Sequence, residues 1–257
     1  MTNIILNGCC GKMGKVIAAA AKKRDNVEII CGVDTYNDNA CSFPVYKCIN
    51  DIDENIVKKA NCLIDFSLPC AFDGVIDFCV SKKLPCVIAT TGLSAEQKKK
   101  ISAAADIIPV FYTANMSIGV NLLCELAKIA AKALGDDFDI EIVEMHHNQK
   151  VDAPSGTALM IADEVNSVLN DKMEYEYNRH EKREKRNKNE IGIHSLRGGN
   201  VVGEHEIIFA GGSEVIKLSH SAQDKGLFAK GALDGALLIS ESEPGLYSMK
   251  NLLSKIM

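Results

Sequence analysis

Glu144-Met-His-His-Asn-Gln-Lys-Val-Asp-Ala-Pro-Ser-Gly-Thr157 is the stretch from which the rest of the chain is read. It follows an alternating run, Asp139-Ile-Glu-Ile-Val-Glu-Met145, whose period of two predicts a strand. It precedes Ala158, Leu159, Ile161, Ala162, Val165, Val168 and Leu169, whose spacing suits one buried helical face. Two imidazoles, an amine and a helix N-terminus therefore meet at one strand-to-helix connection. The N–H groups of Gly156, Thr157 and Ala158, at the start of that helix, are expected to cradle a carboxylate, where the helix dipole also favours negative charge. Lys150 adds a compact charge with mobile donors. In an extended segment His146 and His147 point to opposite faces, so one of them is placed to meet a reacting atom. The expected ligand is a small anion. A polar loop that only caps a helix would need neither two histidines nor a lysine.

A chain of 257 residues has room for one large domain or two modest ones. A net charge of −5 argues against nucleic acid as the main partner, though it leaves room for a basic pocket. No apolar run approaches the ~20 residues of a membrane span. The start, Met-Thr-Asn-Ile-Ile-Leu-Asn, lacks the basic and long apolar parts of a signal peptide, so a cytoplasmic protein without a membrane partner is expected. All ten cysteines fall between Cys9 and Cys124, and none forms a Cys-x-x-Cys pair. Most, such as Cys31, Cys62, Cys79 and Cys86, lie in apolar segments as small hydrophobes. Reduced thiols and no metal are expected.

The first half has a strand–helix rhythm. Asn3 to Asn7 predicts a strand, Gly8-Cys-Cys-Gly-Lys-Met-Gly14 a turn, Val16, Ile17, Ala20 and Ala21 a helix, and Val27 to Val33 a second strand ending at Asp34. This is the pattern of a dinucleotide-binding unit. The first glycine serves the tight turn, a later one the approach of a pyrophosphate, and the last the packing of the helix. Asp34 is placed to accept from the adenosine ribose hydroxyls. Thr35, Tyr36 and Asn37 follow, with no cation until Lys47, so NADH is the preferred cofactor and NADPH tolerated. Strands over 62–66, 85–90 and 107–112 alternate with helices over 71–80 and from Ser94, where Gln97 completes a capping box. The expectation is a Rossmann-like doubly wound parallel sheet. Its ligand lies beyond the carboxyl ends of the strands, at 65–67, 90–92 and 113–117.

Residues 118–134 predict a long helix leading into a second, α+β domain. There the strand into the central motif is followed by a charged tract, 179–188, expected to be a solvated loop rather than a nucleic-acid site because it contains Glu181 and Glu184 and no aromatics. Strands over 190–196, 201–209 and 214–219 are separated by Gly198-Gly-Asn200 and Gly211-Gly212, which read as hairpin signals and predict a mixed or antiparallel sheet. Helices over 228–239 and 245–253 return to the first domain. The domains are then 1–117 with 226–257, binding dinucleotide, and 118–225, for substrate binding and oligomerisation. His194, His205 and His220 are expected to be structural and His180 solvated.

The motif Glu-x-His-His-x-x-Lys-x-Asp-Ala-Pro-Ser-Gly-Thr-Ala resembles the signature of the dihydrodipicolinate (4-hydroxy-tetrahydrodipicolinate) reductases. Gly8 to Gly14 is similar to that family's Gly-x-x-Gly-x-Met-Gly turn, and Arg197-Gly-Gly-Asn-Val-Val-Gly-Glu-His205 and Phe228-Ala-Lys-Gly-Ala match as well. The resemblance spans essentially the whole chain. It implies reduction of the cyclic dicarboxylate 4-hydroxy-tetrahydrodipicolinate by NAD(P)H, giving tetrahydrodipicolinate and water on the route to diaminopimelate and lysine. It implies a homotetramer assembled through the second domain. It implies His146 as general acid assisted by Lys150, and His147, Ser155, Gly156 and Thr157 as substrate-binding residues. Cofactor contacts are implied for Gly8, Cys9, Cys10, Gly11, Lys12, Met13 and Asp34, and for the nicotinamide half at Ala89, Thr90, Thr91, Thr113, Ala114, Asn115 and Met116. The chain departs from the family at Ala89, where Gly is common, and at Lys225, where Arg is common; a Lys cannot make the same bidentate contacts. A two-domain amino-acid dehydrogenase or a non-catalytic dinucleotide sensor would share the first half but not the His-His-x-x-Lys motif.

Overall fold

Alternation of apolar strands with amphipathic helices persists through most of the chain. The computed structural model describes residues 1–36 and 41–255. Asn37 therefore lies outside the described residues. In chain order the elements are β1 (Thr2–Asn7), α1 (Lys12–Ala21), β2 (Val27–Val33), β3 (Val45–Tyr46), α2 (Glu54–Val57), β4 (Cys62–Asp65), α3 (Phe72–Lys82), β5 (Cys86–Ile88), α4 (Ala95–Ala105) and β6 (Pro109–Tyr112). Then come α5 (Ile118–Leu134), β7 (Asp139–His146), α6 (Gly156–Ser167), β8 (Glu174–Glu176), β9 (Glu190–Arg197), β10 (Gly203–Ala210), β11 (Val215–Ala222), α7 (Gly226–Ile239), β12 (Gly245–Tyr247) and α8 (Met249–Ser254). Contacts divide these into two units, Met1–Ile118 with Lys225–Met257, and Gly119–Asp224. Among the described residues no helix is long and apolar enough to cross a membrane.

The first unit is a seven-stranded parallel sheet in the order β12-β6-β5-β4-β1-β2-β3. Alternation along the strands fills both faces. Ile5, Leu63 and Ile88 pack with Phe72, Val75 and Ile101 on one side. Ile4, Leu6, Ile64 and Val87 pack with Ile17 of α1 and Ala229, Leu233 and Ala236 of α7 on the other. A fully buried aliphatic side chain of this kind is worth roughly 1.5–3 kcal/mol, so this two-sided core outweighs weak local propensity. Chain order reverses between β4 and β1, which opens a crevice at their carboxyl ends. Ser94 caps α4 with the Gln97 capping box as expected.

The second unit is a five-stranded mixed sheet, β11-β10-β7-β9-β8, in which β10 is antiparallel and β9 parallel to β7. Leu123, Cys124 and Ala127 of α5 and Ala158, Ile161, Ala162 and Val165 of α6 cover one face.

Three details correct the sequence reading. Gly211-Gly212 does join a hairpin, β10 with β11. Gly198-Gly-Asn200 does not: it reverses the chain, but β7 lies between β9 and β10. A turn signal fixes a change of direction, and neighbourhood is decided by what each strand can bury. Residues 245–247 are not helical but add β12 to β6 at the sheet edge, and Ser248 caps the helix that follows. The tract 179–188 is not merely solvated. Arg186 bonds Glu141, Asp139 and the carbonyls of Ile140 and Glu190, and Arg179 bonds Glu190. His180, as expected, is exposed.

Candidate active site

The glycine turn of the first unit is held from inside. Gly8 has φ +78°, and a Cβ there would lie 2.7 Å from the Phe66 carbonyl oxygen, so only glycine fits. A Cβ on Gly14 would lie 2.2 Å from the Gly8 carbonyl oxygen, so α1 begins pressed onto the turn itself. The Gly8 N–H donates to the Val33 carbonyl (2.8 Å), the Gly11 N–H to the Gly8 carbonyl (3.2 Å), and the Cys10 N–H to Asp34 Oδ2 (2.9 Å). Cys9 and Cys10 are buried, so their side chains face the core. The first turn of α1, at Lys12 and Met13, starts from Gly11, an N-cap that offers no side-chain acceptor.

Asp34 and the turn open on a cleft of about 630 Å³ lined also by Thr35, Lys47, Phe66 and Ser67. Lys47, remote from Asp34 in sequence, thus shares its cleft. At the neighbouring strand ends the fully buried Asp65 carboxylate accepts from Asn7 Nδ2 (2.8 Å), the Ser67 N–H (3.1 Å) and Thr90 Oγ1 (2.5 Å). Thr90 is therefore engaged internally, whereas Thr91 is exposed. Ala89 is half-buried, and its N–H donates to the Asp65 carbonyl (2.9 Å). In the 113–117 loop Thr113 is half-buried and Ala114 exposed. Asn115 and Met116 are buried, with Asn115 Oδ1 accepting from the Ser117 N–H (2.8 Å). The glycine cradle, the terminal acid and the cleft fit a dinucleotide, and the unit is an NAD(P)-binding Rossmann domain.

In the second unit the period of two places the chemistry. Along β7, Ile140, Ile142, Glu144 and His146 are buried on the helix-covered face. Register aligns Ile140 with Ile191 and Phe209, and Ile142 with Ile193 and Ile207. The next row is polar: Glu144 sits between Ser195 and His205, and His205 faces His220. The row after pairs His146 with Arg197. The carboxyl end of the sheet thus carries a buried polar patch above two apolar rows.

Glu144 is its centre. Arg197 grips both oxygens, Nη1 to Oε2 at 2.9 Å and Nη2 to Oε1 at 2.8 Å. His146 Nδ1 lies 2.6 Å from Oε2, and the Ser155 N–H donates to Oε1 at 3.1 Å. Burial alone would raise the Glu144 pKa, but Arg197, Ser195 and His146 together outweigh it and hold it at about 2. The ionised carboxylate can only accept, so His146 carries its proton on Nδ1 and leaves Nε2 for chemistry. Nε2 lies over Gly203, where a Cβ would come within 3.0 Å. The His205 ring meets His146 edge-on at 5.3 Å, and its Nε2 lies 3.0 Å from Ser155 Oγ. Burial, then the neighbouring His146, push the His205 pKa down to about 4.

Structure thus gathers His146 and Ser155 around Glu144. His147, just past the strand, is half-buried. Lys150 Nζ pairs with the exposed Asp152 at 2.9 Å, and its N–H donates to the His147 carbonyl. Gly156, exposed, and Thr157 open α6. The Ala158 N–H does not await a carboxylate: Ser155 Oγ caps it at 3.1 Å. Glu144 and Arg197 have no role in the expectations drawn from sequence, and His205 is set apart from the motif there. The alternation of β7 already carries one signal, since Glu144 and His146 are two residues apart and must share a face.

The Glu144 pKa lies below its ordinary 4.5, so the stability it gives is complete above pH 4.5 and lost as pH falls towards about 2. His205, depressed from 6.5 to about 4, acts with the same sign between those values. Urea midpoints are expected to fall as pH drops from 6.5. In Glu144→Gln the component below pH 4.5 disappears and stability at neutral pH drops by about 3 kcal/mol, because Arg197 loses its partner. Parental stability and pH dependence in that variant would contradict the arrangement.

The family model for the N-terminus of dihydrodipicolinate reductase matches residues 2–116, and that for the C-terminus matches residues 119–253. The 4-hydroxy-tetrahydrodipicolinate reductase of Caldanaerobacter subterraneus subsp. tengcongensis is 51% identical over 255 residues, covering 99% of each chain. That of Clostridium novyi is 42% identical, covering 98% of each. The dipicolinate-bound dihydrodipicolinate reductase from Paenisporosarcina sp. TG-14 shares the fold with a TM-score of 0.81 at 24% identity, covering 98% of this chain and 99% of that one. The chain belongs to the 4-hydroxy-tetrahydrodipicolinate (dihydrodipicolinate) reductase family, a family of oxidoreductases.

Proposed function

We propose that the protein reduces 4-hydroxy-tetrahydrodipicolinate to tetrahydrodipicolinate and water, in diaminopimelate and lysine biosynthesis, with His146 as the proton donor. The observation that carries this reading is the Glu144–His146 pair, at 2.6 Å, at the carboxyl end of β7. The hydride would come from a reduced nicotinamide held by the first unit. Hydride addition leaves negative charge on the substrate, and a proton from His146 Nε2 neutralises it. Glu144, bonded at Nδ1, orients the imidazole and leaves Nε2 to face the substrate in this reading. Lys150 binds a substrate carboxylate, exchanging Asp152 for it, and assists proton delivery. His147 and the α6 start at Gly156 and Thr157 hold the second carboxylate. Ser155, buried and bonded to Ala158, Glu144 and His205, acts on substrate through those partners. His146→Gln is expected to lower kcat by roughly 10²-fold, the usual worth of a placed acid, with little change in NADH affinity. Near-normal turnover would defeat the assignment.

NADH is the preferred cofactor in this reading, because Asp34 would crowd a 2′-phosphate. NADPH is tolerated because Lys47 lines the same cleft. Lys47→Ala should lower kcat/KM with NADPH by up to about fivefold, the scale of an exposed ion pair, and leave NADH within error. A large advantage of NADPH over NADH in the parent protein would contradict the preference.

We also propose a cytoplasmic homotetramer assembled through the second unit. The face of its sheet away from α5 and α6 carries Val143, Met145 and Ile208 together with Leu196 (50% exposed) and Val215 (55% exposed). Sedimentation should give four chains per particle; a monomer would overturn this.

A further inference from the structure

Three cysteine thiols meet beneath the dinucleotide turn. Cys9 and Cys10 sit at its apex with their sulfurs 3.8 Å apart, and the Sγ atoms of Cys9, Cys10 and Cys41 all lie within 4.8 Å of one another. Sequence spacing hides this group, because Cys41 joins it only through tertiary pairing. The segment ahead of β3 runs beside β2, with the Gly32 N–H donating to the Pro44 carbonyl (2.9 Å) and Gly32 in register with Val45. Gly32 also makes the room: a Cβ there would lie 2.5 Å from the Cys9 sulfur and 2.8 Å from the Phe43 ring. The cluster is buried at Cys9 and Cys10 and half-buried at Cys41, which leaves an entry on that side.

These distances suit one kind of ligand. Metal–thiolate bonds of about 2.3 Å set sulfurs about 3.8–4.0 Å apart in tetrahedral or trigonal coordination. The Cys9–Cys10 pair already has that spacing. The other pairs, at no more than 4.8 Å, need to contract by less than about 1 Å, within reach of a side-chain rotation. Three soft donors without an imidazole select thiophilic d¹⁰ ions over magnesium or calcium. We infer that Cys9, Cys10 and Cys41 form a three-thiolate site for a thiophilic metal ion, and that its occupancy opposes dinucleotide binding. On binding, three S–H groups release their protons to solvent as three metal–sulfur bonds form; no electron transfer is involved. Three thiolates around a divalent ion leave one net negative charge at the turn that, under the proposed function, carries the anionic cofactor, so the two oppose each other. Binding at the two places is therefore coupled, and reciprocally so.

The test uses the full chain lacking its two exposed thiols, Cys48→Ser/Cys70→Ser, so that uptake reports the cluster. Calorimetry with Cd²⁺ should give one ion per chain, and cadmium NMR a sulfur-rich environment. Cys41→Ser should weaken uptake by at least the roughly 10- to 100-fold that loss of even an outer-shell partner costs. Because uptake is read without dinucleotide, it stands apart from the cofactor assignment. No stoichiometric uptake, or uptake indifferent to both Cys41→Ser and Cys9→Ser, overturns the site. NADH should weaken Cd²⁺ binding; equal Cd²⁺ affinity with and without saturating NADH overturns the link to the cofactor.

Discussion

A buried carboxylate without partners would cost several kcal/mol, and the second unit is arranged so that Glu144 never meets that condition. Arg197 reaches it from β9, His146 from two residues along β7, and the Ser155 N–H from the start of α6. Each partner is thereby fixed. The imidazole is locked in one tautomer, the strand pair β7–β9 is clamped at its open end, and α6 begins where the Ser155 hydroxyl can cap it. The same hydroxyl meets His205, whose own burial keeps it neutral beside His146. Among the described residues Arg197 Nε and His205 Nδ1 find no hydrogen-bond partner in this network, and the apolar rows directly beneath hold its strands in register.

The first unit uses a parallel device, with one carboxylate buried and one half-buried. Asp34 reaches back to the Cys10 N–H and so ties the end of β2 to the glycine turn. Asp65 gathers Asn7, Ser67 and Thr90 at the ends of β1, β4 and β5. Two carboxylates thus shape the crevice floor from below while the first turn of α1 stays open above it. The N–H groups of Gly8, Cys10 and Gly11 are spent on the shape of the turn.

Much of this was legible beforehand. β2 and α5 run as their apolar periodicity predicts, and Ser94 with Gln97 announces α4 by local hydrogen bonds alone. What escaped was non-local. Gly198-Gly-Asn200 signals reversal, but which strand fills the gap depends on β7, some fifty residues earlier. Leu246 and Tyr247 read as helical because their strand has only an edge to join. Arg186 looks like one charge among many until β7 brings Glu141 and Asp139 to it. In the site, the histidines and lysine were readable from the motif, and the family likeness gave them roles. Glu144 and Arg197 were not, since their pairing depends on register between strands far apart in sequence.

The central claim is that Glu144 dictates which nitrogen of His146 bears the proton. Nitrogen NMR of protein with labelled imidazoles, recorded where His146 is uncharged, addresses it directly. The account predicts a protonated Nδ1 and a bare Nε2 for His146, with that preference lost when Glu144 is replaced by glutamine. A proton resting on Nε2 in the parent protein would contradict it.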